Sequence, residues 1–330
     1  MKDIKTLYQR SNLVESSHNA KVLIKRVDGR VILSTGNEND YIYPRSSIKI
    51  FQALPFVESK AVKKFKLSLK TVALACSSHR GEKYHIKEIN NWLKKINVKE
   101  KVLKCGSHYP LNDNEKVKIL SSNKKIDQRY NNCAGKHLAM ITSCLINNYN
   151  LNSYLAFEHP HQKKIRKIFE KFSNTKIKKE NYGIDGCSAP QYSFQIKNIS
   201  NMLCNLIKAY DEKFYYNSEV KFLINCIIKN PKYIGGTDSL DSRIMSICNE
   251  KVFCKGGAEG VFLFTHLKKR LTGVIKIEDG NERAIPPIIY DLFKKYKILT
   301  LNELRELKKF YNFNIYNHAK VKIGSIKTNL

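Results

Sequence analysis

Arg45-Ser46-Ser47-Ile48-Lys49 runs directly into Ile50-Phe51-Gln52-Ala53-Leu54, with Pro44 just before it. A proline followed by this apolar run reads as the start of a helix. Ser46 and Lys49 are three apart, and on a helix that spacing puts two side chains on one face. A neutral lysine amine held against a serine hydroxyl can take its proton and make it a nucleophile. In a lysine-rich chain the same spacing arises by chance, so the weight of the pair depends on what distant segments add to it.

Upstream, residues 21–36 read as a hairpin. Val22 and Ile24 alternate with polar residues, Asp28-Gly29 is a tight-turn signal, and Val31 and Leu33 continue on the return strand. Downstream, the short apolar run 71–76 delivers the polar stretch Ser77-Ser78-His79-Arg80-Gly81-Glu82. Apolar residues then recur at helical spacing: Ile86, Ile89, Leu93 and Ile96; Leu138, Ile141 and Leu145; Ile165, Ile168, Phe169 and Phe172; Ile199, Leu203 and Leu206. Each stripe reads as a core-facing surface rather than a binding one. Strand character returns at 251–254, 261–264 and 274–277, followed by the turn Asp279-Gly280 and two closing helices. Thr300-Leu301-Asn302-Glu303 gives the second of these a capping box.

The expected fold is therefore α/β of the α+β kind, a mixed and mostly antiparallel sheet built from N- and C-terminal strands around a helical middle. One interlocked unit over residues 1–330 fits this order, with the sheet part at about 1–80 and 250–330 and the helical part at about 81–249. A strand pair followed by a helix opening with Ser-x-x-Lys is the order used by serine amidohydrolases of the β-lactamase and glutaminase type.

Composition narrows the function classes. Lys plus Arg outnumber Asp plus Glu by 59 to 29, a formal charge of +30. That excess fits a nucleic-acid or anionic-surface binder, or lysines spread over solvated faces. No Lys/Arg block exceeds three consecutive residues, and no zinc-finger or aromatic RNA-binding pattern occurs, which favours the spread. The first eleven residues lack the apolar core of a secretory leader, and no run approaches the ~20 apolar residues of a membrane helix. Nine unevenly placed cysteines then read as reduced thiols of a cytoplasmic protein rather than a disulfide framework.

Four further polar or glycine-rich motifs are flanked by apolar structure. They are the stretch around Ser78, Asn131-Asn132-Cys133-Ala134-Gly135-Lys136-His137, Gly183-Ile184-Asp185-Gly186-Cys187, and Lys255-Gly256-Gly257-Ala258-Glu259-Gly260. The glycines after Lys255 let a ligand or another backbone approach closely, or else belong to an ordinary hairpin. The stretches holding Cys133 and Cys187 offer two thiolates for a metal, which favours zinc, with Asp185 or His137 to add a ligand. Their spacing is not a standard zinc pattern, and on spacing alone buried structural cysteines are the simpler reading. His18, His108, His159 and His161 read as satisfied or surface histidines.

Taken together, these segments resemble the class 3, rhizobial-type L-asparaginases of the asparaginase II family. The resemblance also takes in Val14-Glu15-Ser16-Ser17-His18, His159-Pro160-His161-Gln162 and Lys276-Ile277-Glu278-Asp279-Gly280, so it covers nearly the whole chain in order and spacing. It implies a fold like that of serine β-lactamases and glutaminases, and a homodimer. It implies two Ser-Lys pairs, Ser46 with Lys49 and Ser78 with Lys255, beside a zinc ion held by Cys133, Lys136 and Cys187. Asp185 would clamp the α-ammonium of the substrate. Arg45 would pair the α-carboxylate or serve a structural role, and His137 would orient Asp185.

The expected reaction is hydrolysis of the side-chain amide of L-asparagine. Ser46 attacks with Lys49 as base, and Ser78, held by Lys255, relays a proton to the leaving ammonia. Which serine attacks is left open by the sequence. Glutamine or an N-substituted asparagine is the neighbouring substrate class, since one methylene discriminates by only ~1–3 kcal/mol. Two features depart from the family pattern: Lys60 stands where glycine is more usual, and the chain is unusually basic for an asparagine hydrolase.

Overall fold

The computed structural model describes residues 3–122, 125–211 and 213–330. Its eight-stranded antiparallel sheet takes the order Asn314–Tyr316, Lys322–Thr328, Ile4–Arg10, Leu13–Arg26, Leu271–Ile277, Val261–His266, Val252–Gly257. Val31–Thr35 pairs with the second half of Leu13–Arg26, as the hairpin reading predicts. The long strand is the hinge of this topology. Its first half pairs with Ile4–Arg10, and its second half pairs with Val31–Thr35 on one edge and Leu271–Ile277 on the other.

The three strands between residues 252 and 277 are buried on both faces, which explains their nearly continuous apolar sequence. Alternation sorts their side chains. Phe264 lies opposite Gly273 and packs edge-on against Phe293 of the helix Ile285–Lys295, with ring centroids 4.9 Å apart. The neighbouring Thr272 points the other way, to Cys204 of the helix Ile196–Asp211. Helices therefore cover both faces of this part of the sheet.

The middle of the chain is mostly helical, as its periodicity predicts. Packed against these helices is the earlier helix Lys49–Glu58, in which every residue from Lys49 to Phe56 is buried. Phe51 packs on Phe172, and Phe56 on Trp92. A helix that is apolar all round belongs inside a protein, and this one carries a lysine into the interior as its first residue. The Thr300–Glu303 capping box forms both of its reciprocal bonds. The apolar run 71–76 lies mostly in the short helix Leu69–Leu74, capped by Ser68. No helix among the described residues is long and apolar enough to cross a membrane.

Candidate active site

Two close backbone approaches assemble the site. The strand Val252–Gly257 ends against the turn before the buried helix, and a Cβ on Gly257 would lie 2.5 Å from Pro44 O and 3.4 Å from Ser46 N. Glycine is thus required for another backbone to approach, one of the two readings its sequence allows. The helix Ala134–Ile146 meets the end of Leu69–Leu74 in the same way, since a Cβ on Gly135 would lie 2.1 Å from Leu74 O. Cys133, at the start of that helix, meets the same lysine amine, Lys49 Nζ, as Ser77 and Ser78. The Ser78 loop is pinned by Ser78 N–H donating to Ile234 O (2.7 Å) and His79 N–H donating to Asn132 O (3.2 Å).

Ser46, Ser78 and Lys255 line one cavity of about 340 Å³, together with Arg80, Asn132, Gly256, Gly257 and Glu282. Ser46 sits in the 3₁₀ turn Arg45–Ile48, not in the α-helix, and Arg45 takes the left-handed φ of +53°. Lys49 takes partners other than Ser46. Its Nζ is within hydrogen-bond distance of Ser77 O, of Ser78 Oγ at 3.1 Å and of Cys133 Sγ at 3.2 Å. Among the described residues no hydrogen bond links it to Ser46, and no carboxylate pairs with it. Burial lowers the pKa of the Lys49 amine below the ordinary 10.5, and the nearby charges of Lys136 and Lys255 push it the same way. Lys255 Nζ in turn donates to Asp241 Oδ2 at 3.0 Å and Gly256 O at 3.0 Å, not to Ser78. The Ser-Lys hydrogen bond present here is therefore Ser78 with Lys49.

On the other side of Lys49 lies a thiol cluster. The ligand atoms of Cys133, Asp185 and Cys187 all fall within 4.8 Å of one another. Lys136 Nζ is 3.0 Å from Cys187 Sγ and 3.8 Å from Asp185 Oδ2. A hydrogen bond from Cys133 draws the Cys187 pKa down to about 5, with Lys136 reinforcing it against burial. Donating that bond, together with burial, pushes Cys133 up to about 12. Burial opposes the charge on Lys136, but the two sulfurs and Asp185 outweigh it and raise its pKa. Asp185 is drawn down by Lys136 and Arg45 against the opposing effect of burial. Arg45 Nε donates to Asp185 Oδ1 at 2.8 Å, so the two proposed substrate clamps hold each other. His137 Nδ1 faces the Tyr154 hydroxyl at 2.6 Å, and no hydrogen bond joins it to Asp185.

Asp241 is absent from the sequence reading. It comes from the polar stretch 237–242, where Ser239 and Asp241 signal only a helix start. Nothing in that stretch marks Lys255 as its partner.

Comparison with known proteins places this geometry in a class. The family model for L-asparaginase II matches residues 7–328. The chain belongs to that family and is an amidohydrolase of the asparaginase type. No curated protein matches the sequence. Among solved structures, a β-lactamase from Mycobacterium bovis aligns with a TM-score of 0.42 at 9% identity, over 85% of this chain and 95% of that one. A β-lactamase candidate from Bacteroides dorei DSM 17855 gives 0.37 at 10% identity, over 84% and 88%. Likenesses this distant carry nothing about the site.

Proposed function

We propose that the protein hydrolyses the side-chain amide of L-asparagine to L-aspartate and ammonia through an acyl-enzyme on Ser46. Family membership supports the reaction class. The observation that carries the mechanism is a buried, carboxylate-free Lys49 whose amine sits 3.1 Å from Ser78 Oγ, in the cavity wall that also holds Ser46. Ser46 Oγ attacks the amide carbon. Its proton passes to Lys49 by way of Ser78, so Ser78 serves as relay where the sequence reading joins Ser46 to Lys49 directly. The C–N bond breaks as the proton returns to the leaving nitrogen, giving ammonia. Water then adds to the β-aspartyl ester by the same route, and its O–C bond to Ser46 breaks to give aspartate. Backbone N–H groups at the turn carrying Ser46 are the candidates for stabilising the oxyanion.

The Arg45–Asp185 pair matches an amino-acid zwitterion charge for charge. On binding, the substrate α-carboxylate takes Arg45 and the α-ammonium takes Asp185, exchanging one ion pair for two. Cys133, Lys136 and Cys187 are the set that would hold zinc, and their two close sulfurs and amine fit it. Lys136 would bind as the neutral amine, so the metal must displace the proton that the surrounding sulfurs and Asp185 favour. When bound, the ion would supply positive charge beside the substrate clamp. A cytoplasmic homodimer is the expected setting, checked by light scattering of the purified chain.

The test is ammonia release from asparagine and from glutamine, with and without a zinc chelator. Asparagine is expected to be turned over and glutamine much less. Absence of release from either defeats the proposal, while full activity after verified zinc removal defeats only a catalytic need for the metal.

A further inference from the structure

We propose that Asp241 is a positioning residue for this hydrolysis, fixing the Lys255 ammonium in the wall of the cavity that holds Ser46 and Ser78. The inference rests on the function proposed above.

Asp241 lies in the first turn of the helix Leu240–Ile247 and is buried. Its two oxygens serve different segments. Oδ1 is spent locally, accepting from Ser239 Oγ at 2.6 Å and Ser242 N–H at 2.9 Å. Oδ2 accepts from Lys255 Nζ at 3.0 Å, with the Gly256 N–H at 3.4 Å. Room for the carboxylate depends on Gly235, where a Cβ would stand 2.4 Å from Oδ1. The helix start is thereby tied to the strand that carries Lys255, and the lysine is held from its carboxylate side. Both side chains are nearly sealed from solvent, 7% and 4% exposed, so removing either leaves the other's charge uncompensated.

Lys255 Nζ spends one further N–H on Gly256 O, and an ammonium has three. One donor remains for the cavity that Lys255 lines. Held this way, Lys255 offers a hydrogen bond and a positive charge to the reacting amide rather than a lone pair. The two site lysines then divide the work: Lys49, without a carboxylate, accepts the proton, and Lys255, clamped by Asp241, donates.

The test is a double-mutant cycle read by steady-state ammonia release from asparagine. We expect Asp241→Asn to lower kcat at least ~10-fold with KM changed less than ~3-fold, and Asp241→Glu to recover part of the loss. In a Lys255→Met background, Asp241→Asn should cost less than a further ~2-fold, because its effect runs through Lys255. If the losses multiply in the double variant, or if Asp241→Asn leaves kcat within ~2-fold of wild type, the inference is overturned. Should Asp241→Asn alone fail to fold, the double variant, which strands no ammonium, decides. A kcat equal to that of Lys255→Met supports the role, and a lower one overturns it. A wild-type chain that releases no ammonia overturns the proposed function and this inference with it; an active wild type with multiplying losses overturns this inference alone.

Discussion

The reaction cavity and the thiol cluster meet at Lys49, yet they are built on opposite plans. The cavity is shaped by backbone, through the close approach of Gly257 to the Ser46 turn and the pinning of the Ser78 loop by Ile234. The amine behind it, on Lys49, has no carboxylate partner among the described residues, and burial lowers its pKa. The cluster is a dense set of mutually compensating charges and sulfurs, in which Lys136, Asp185 and Cys187 each answer another. A base needs the first environment, and a metal or a charged clamp needs the second. One short segment serves both, because Arg45 points to Asp185 while the next residue, Ser46, lines the cavity.

The difference can be broken most sharply at Lys49. Lys49→Met should cut kcat for asparagine by ~10²–10⁴ while leaving the metal content of purified protein unchanged. A kcat within tenfold of wild type would show that the proton goes elsewhere. The reverse change is Cys187→Ala, which should weaken zinc binding at least ~100-fold by competition with a chromogenic chelator. Unaltered zinc affinity would remove Cys187 from the ligand set.

Two glycines sharpen the claim that backbone shapes the cavity. Gly257→Ala forces a Cβ to within 2.5 Å of Pro44 O and should cost ~1–3 kcal/mol in urea unfolding, with a fall in kcat as the Ser46 turn shifts. At Gly256 a Cβ meets nothing nearer than Phe262 at 3.9 Å, so Gly256→Ala should change stability by less than ~0.5 kcal/mol. Equal costs at the two positions would contradict the packing described. The smallest effect lies away from both regions. Lys60 holds φ at +60°, a conformation that costs a side-chain-bearing residue ~1–2 kcal/mol, partly offset by the added freedom glycine brings to the unfolded chain. Lys60→Gly should therefore stabilise by ~0.5–1 kcal/mol with kcat unchanged, measured by the same unfolding curves.

Much of this was legible in the residues. The hairpin turn at Gly29, the helical middle, the strands 252–277 and the capping box at Thr300 follow from local pattern and turn chemistry. The strands Ile4–Arg10 and Lys322–Thr328 escaped a specific reading because their lysines and half-exposed positions blur the alternation. The departure at Lys60 was legible too: glycine is expected there, and the backbone adopts the conformation glycine favours.

The Ser-Lys pairing was not legible, for a geometric reason. Three-apart spacing puts Ser46 and Lys49 on one face in an α-helix and in a 3₁₀ turn alike, but it does not say which partner the long lysine side chain takes. Here the α-helix starts at Lys49, Ser46 lies in the 3₁₀ turn before it, and the lysine runs to Ser78, 29 residues on. Asp241 was hidden for a related reason, because its partner is set by the packing of a helix start on a strand end. Arg45 and Asp185, which the resemblance suggests as substrate clamps, gave no sign in sequence that they bond to each other.

The most direct measurement is rapid-quench trapping of the enzyme during asparagine turnover, with the acylated peptide mapped by mass spectrometry. A β-aspartyl adduct on the peptide containing Ser46, lost in Ser46→Ala and slow to form in Lys49→Met, is the predicted result. An adduct on Ser78, or rapid adduct formation in Lys49→Met, would contradict it.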